Sequence, residues 1–228
     1  MNNALLHLLH MSDSSLPIGG FSHSAGLETY VQNGKVKDAD SAKEFCKQML
    51  QKNLFYTDAA LVSLAYDAAI NNDLKSIIHW DNICNAVKLP MEMRQSSQKL
   101  GLRLTKIFKP LYPHPFISQY TTAVKEQNAH GHYCICFGLL AAIMGLDKRE
   151  TLSGFYYNAA AAFVTNSVKL IPLSQQTGQA ILFEILELIN QLVEETMQPD
   201  ESMIGLCCPG FDISSMQHER LYSRLYMS

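Results

Sequence analysis

Apolar residues recur at intervals of three and four through most of this chain, the spacing of a single face of an α-helix. Residues 2 to 11 place Leu5, Leu6, Leu8 and Leu9 on one broad face and predict a short buried helix. A second helix is expected from about Ser22 to the Asn33-Gly34 pair, a sequence suited to a helix C-terminus. Asp40-Ser41 then opens a helix through Lys52, and Thr57-Asp58 starts another, in which Ala59, Leu61, Val62, Leu64, Ala65 and Ala68 suit close packing. Asn71-Asn72-Asp73 is a break. The pattern resumes from Leu74 to Val87 and, after Pro90, from Met91 to Phe108.

Residues 109 to 116 hold three prolines and are expected to form a loop within one helical bundle. A helix follows over 115 to 127. Residues 132 to 145 are apolar on every side, which predicts a central core helix. A long alanine-rich helix is expected from Asp147 to Leu170, and another from Pro172 through Val193. Pro199 to Asp212 reads as a loop, and residues 213 to 228 as an amphipathic helix with Met216, Leu221, Leu225 and Tyr226 outward. No alternating strand pattern and no internal repeat occurs. The fold class is therefore all-α: a single-domain bundle of about ten helices over residues 1–228, with flexible N- and C-terminal segments.

Composition narrows the function. Of 228 residues, 47% are hydrophobic and only 17% charged, with a formal charge of -3. So few charges leave apolar surface for partners to cover. No basic run points to nucleic acid, and no apolar run reaches the length of a membrane span. Six cysteines without framework spacing, and an N-terminus without a basic n-region, point to a reduced cytoplasmic protein.

Candidate chemistry is sparse. His130-Gly131-His132-Tyr133-Cys134-Ile135-Cys136 puts four soft or borderline ligands in seven residues, which suits nickel or zinc. On a helix His132 and Cys136 share a face; Cys134 does not. These cysteines equally suit small buried hydrophobes. Cys207-Cys208 is an adjacent thiol pair in a predicted loop. Gly-x-Ser-x-Gly, the phosphate-binding Gly-x-x-x-x-Gly-Lys-Ser/Thr and His-Glu-x-x-His are all absent, and nothing assembles a nucleophile, base and oxyanion hole. No catalytic residue, cofactor site or fixed metal site is expected.

The most specific stretch is Leu16-Pro17-Ile18-Gly19-Gly20-Phe21-Ser22-His23-Ser24-Ala25-Gly26-Leu27-Glu28. Pro17 and the glycine pair demand a sharp turn, with Phe21 at its tip. This stretch resembles the N-terminal motif of the UreF family of urease accessory proteins. Four further segments are similar to that family in order: Met91 to Gly101, His130 to Leu146, Val168 to Gln179, and the tail from His218 to Leu225.

The resemblance implies a non-catalytic, homodimeric adaptor. It would bridge the UreD (UreH) scaffold, which touches apo-urease, and the UreG GTPase, which carries nickel, and so support GTP-dependent nickel insertion. By position, Phe21 and Arg224 match family residues implicated in complex assembly; together with Ser24, Glu28, Arg220, Tyr222, Leu225 and Tyr226 they make up the expected partner-binding residues, with 200–228 the partner-binding loop and tail. The alternative is a nickel-binding protein that holds the ion at His130, His132, Cys134 and Cys136.

Overall fold

The computed structural model describes residues 3–19, 26–206 and 208–218. Eleven α-helical segments occur among them: α1 (Ala4–Met11), α2 (Leu27–Gln32), α3 (Ala39–Gln48), α4 (Ala60–Ile70), α5 (Leu74–Val87), α6 (Met91–Leu111), α7 (Pro115–Lys125), α8 (Tyr133–Ile143), α9 (Lys148–Leu170), α10 (Gln175–Thr196) and α11 (Pro209–His218). No strand occurs among the described residues. A π-helical stretch, Met49–Ala59, joins α3 to α4 without a break, so these make one rod and the rods number ten. The expected interruption between Lys52 and Thr57 is absent. Met49, Leu50, Leu54 and Ala59 stay on the buried side through the wider turns, which keeps the rod in contact with the core.

α8 is the axis of the bundle, with every residue from Cys134 to Ala142 buried. It packs chiefly on α4 and α6, while α9 and α10 pair alongside. Contact between α4 and α8 is close because Gly138 lacks a side chain. A Cβ there would lie 2.4 Å from the Val62 carbonyl oxygen. The N-termini of α3, α5, α9 and α10 are capped by Asp38, Asp73, Asp147 and Ser174, each accepting a backbone N–H three residues on.

Three local expectations are corrected. The proline-rich stretch is partly helical: α6 runs through Pro110 to Leu111, and Pro115 opens α7. Pro115 takes the first helical position of α7, where its N–H would have no helical partner in any case, and Pro110 forfeits a single bond in the last turn of α6. Residues 199 to 212 are not all loop, because Glu201–Met203 form a 3-10 turn and α11 begins at Pro209. In α1 only Leu8 and Met11 are buried, whereas Leu5, Leu6 and Leu9 are exposed. One edge of this short helix meets α9 at Gly154, and the other leucines face outward. The expectation of flexible terminal segments falls largely outside the described residues.

Candidate functional site: the junction of the N-terminal turn and the C-terminal helix

The N-terminal motif and the root of the C-terminal tail meet in space. Gly26 enters α2 with φ of 74°, a left-handed angle open to glycine. A Cβ on it would sit 2.8 Å from Ser215 Oγ of α11. Two residues on, Glu28 is buried and faces His218, with Oε2 3.1 Å from His218 Nε2. The other ring nitrogen, Nδ1, lies 3.3 Å from Glu92 Oε2 of α6. Thr29 adds a third tie, its hydroxyl donating to the Ser214 carbonyl at 3.0 Å. Each ring nitrogen of His218 therefore faces a carboxylate oxygen from a different helix. His218 thus clamps α11 to α2 and α6 at once.

Glu28, expected at a partner surface, is therefore turned inward and anchors α11. Phe21, Ser24, Arg220, Tyr222, Arg224, Leu225 and Tyr226 lie outside the described residues.

The second cluster surrounds His130 to Cys136. Asp81, fully buried on α5, accepts the backbone N–H groups of His130, Gly131 and His132 at 2.5, 2.9 and 3.0 Å. His132, also fully buried, has Nδ1 3.1 Å from Ser97 Oγ and Nε2 3.4 Å from Asn85 Oδ1. The Asn85 carbonyl oxygen can only accept, so Nε2 carries the proton and Nδ1 accepts from Ser97. Cys134 meets Cys84 of α5 across 3.5 Å between sulfurs. Burial pushes the Cys84 thiol up, but the hydrogen bond from Cys134, the adjacent His132 imidazole and the Lys88 charge outweigh it and bring it below the ordinary thiol range. Burial pushes Cys136 up to about 12. His132, Cys84 and Cys134 are thus partnered by one another and by Ser97 and Asn85. Among the described residues no group of three or more histidine, cysteine or acidic side chains is gathered to hold a metal ion.

Between the two clusters lies a cavity of about 310 Å³, bordered by Leu16, Ile18, Ser97, Tyr133, Phe155 and Phe211. Asp58 and Lys88 form a 2.7 Å ion pair on its wall. Burial pushes the Asp58 carboxyl up, yet the Lys88 charge and hydrogen bond outweigh it and hold it below the usual carboxylate range. A carboxylate whose folded pKa is depressed stabilises the fold fully above its unfolded value, near 3.9, and loses that contribution as pH falls through the folded value. Asp58→Asn is expected to cost about 2 kcal/mol at neutral pH. Urea unfolding in a pH series should show the difference from wild type shrinking as the pH falls below about 4.

Sequence reasoning missed Asp81, Asn85, Glu92 and His218 as structural keys. Asp81 carries a readable signal: it sits between Ile77 and Cys84 on the buried face of α5, a charge at a core position.

A family model described as UreF matches residues 36–186. The chain is 48% identical over 221 residues to the "Urease accessory protein UreF" of Actinobacillus pleuropneumoniae serotype 5b (strain L20), covering 97% of both chains. It is 45% identical to the protein of the same name from Haemophilus influenzae (strain ATCC 51907 / DSM 11121 / KW20 / Rd), covering 97% of this chain and 94% of the relative. The chain belongs to the UreF family. A more distant relative, again named "Urease accessory protein UreF", comes from Bacillus sp. (strain TB-90), with 37% identity over 99% of this chain and 100% of the relative. Membership places the protein in urease maturation, with an accessory rather than a named catalytic role. No helix among the described residues is long and apolar enough to cross a membrane.

Proposed function

We propose that this UreF-family chain is a homodimeric cytoplasmic adaptor without catalysis of its own. It bridges the UreD (UreH) scaffold to the UreG GTPase and supports GTP-dependent nickel insertion into apo-urease. The observation that carries this reading is the near-full-length identity to proteins named urease accessory protein UreF. Surface chemistry supports it. Leu5, Leu6 and Leu9 on α1, Leu111 at the end of α6 and Phe183 on α10 are all exposed, apolar area of the kind that a partner covers.

The N-terminal turn and the tail form the contact region in this reading, with Phe21, Ser24, Arg220, Tyr222, Arg224, Leu225 and Tyr226 touching partners. Glu28 acts through His218 by holding α11, and hence the start of the tail, in place. Co-expression with tagged UreD and UreG, followed by affinity capture and mass measurement with and without GTP, tests it. Wild type is expected in a complex with both, and Phe21→Ala and Arg224→Ala are each expected to lose UreG while their circular dichroism stays helical. Unchanged capture by both variants would remove the assigned contacts. A wild-type chain that captures neither partner would remove the adaptor reading itself.

A further inference from the structure

We propose that Cys84 and Cys134 form an oxidisable dithiol that a small peroxide closes into a disulfide between α5 and α8. The inference is independent of the adaptor reading. Its basis is geometric. The two sulfurs face each other at 3.5 Å across a helix interface, both fully buried, and both are free thiols. Cys46 and Cys136 are equally buried, yet neither has a sulfur partner among the described residues. Closure needs the sulfurs to approach by about 1.5 Å to reach bonding distance.

The surroundings suit the chemistry. His132 and Lys88 stand beside Cys84 and favour its thiolate, the form that reacts with peroxide. Lys88, Ser97 and Tyr133 line the cavity of about 310 Å³, and Ser97 is the residue hydrogen-bonded to His132. A small neutral oxidant inside that cavity is thus one side-chain layer from the dithiol. A protein or a tripeptide disulfide is too large for the same route.

The reaction balances with hydrogen peroxide alone. Cys84 Sγ attacks one peroxide oxygen, the O–O bond breaks, and a hydroxyl stays on sulfur. The departing hydroxide takes up the proton that Cys84 gave up and becomes water. Cys134 Sγ then attacks the sulfenic sulfur. The S–S bond forms, the S–O bond breaks, and the hydroxyl leaves with the Cys134 proton as a second water. The two thiols together lose two electrons, and peroxide is reduced to two waters.

Peptide mapping of the full chain tests this. The reduced protein is treated with hydrogen peroxide, quenched, unfolded in urea with iodoacetamide, digested and weighed. The expected product is a Cys84–Cys134 linked peptide that dithiothreitol abolishes, with Cys46 and Cys136 recovered alkylated. In Cys134→Ser, Cys84 should be trapped by dimedone as the sulfenic acid. Peroxide added after unfolding should give mixed linkages in place of the single one. The inference is overturned if Cys84 and Cys134 are both recovered alkylated under conditions that oxidise the more accessible Cys208. It is overturned equally if the linked peptide appears only after unfolding.

Discussion

Asp81→Ala is expected to destabilise the protein by about 4 kcal/mol, the largest effect of any single substitution proposed for it. The carboxylate is fully buried and receives three backbone N–H groups from His130, Gly131 and His132. Those residues form the turn into α8, the helix at the centre of the core. Gly131 holds φ of 78° there, and a Cβ on Gly101 of α6 would lie 2.2 Å from its carbonyl oxygen. Three buried donors would remain unsatisfied, each costing roughly 1 to 3 kcal/mol before relaxation. Asp81→Asn should be intermediate, because its amide keeps one acceptor oxygen but turns a donor toward the other N–H groups. Urea unfolding followed by circular dichroism reads both. A midpoint that scarcely moves in Asp81→Ala would mean that the turn into α8 does not depend on this carboxylate.

His218→Ala should release α11 from the bundle while the rest stays folded. The imidazole ties Glu28 of α2 and Glu92 of α6 to the end of α11, and no other residue described in α11 carries a cationic or imidazole side chain. Two hydrogen bonds to charged acceptors are worth about 3 kcal/mol together. Because α11 is held to α2 and α6 through these contacts, the loss should appear as local opening. Amide exchange over residues 209–218 is expected to speed up by about 100-fold, at a factor of ten per 1.4 kcal/mol. Amides of α8 should keep their protection. Under the adaptor reading, partner capture should weaken as well, because the tail loses its anchor. Faster exchange in α8 to the same degree would show that His218 supports the whole core and not one helix.

These two residues mark where reading the chain in one dimension stops. The all-α class, α8 as the core helix, the long pair α9 and α10, and the breaks at Asn71–Asp73 and Gly131 all follow from periodicity, capping residues and helix breakers. Such features depend on neighbours within a few positions. The family, too, was legible, since five separated motifs in order are a property of the sequence. The helical state of Pro110 was not, because a proline next to the last residue of a helix removes one bond of the ladder without interrupting the turns before it. Nor was the unbroken rod from Ala39 to Ile70, whose π-helical middle carries no local signal in the sequence.

By itself, then, the amino-acid order determines that this is a helical member of the UreF family, which faces are apolar, and where most helices start and stop. Only the tertiary structure decides which partners those faces meet. It pairs His218 with Glu28 across 190 residues, and Cys134 with Cys84 across 50. It gives Asp81 three backbone donors, and it leaves Leu5, Leu6 and Leu9 uncovered where periodicity predicted burial. Helical spacing specifies a direction around one axis. A contact also requires the position of a second axis, and that is set by the packing of the bundle as a whole.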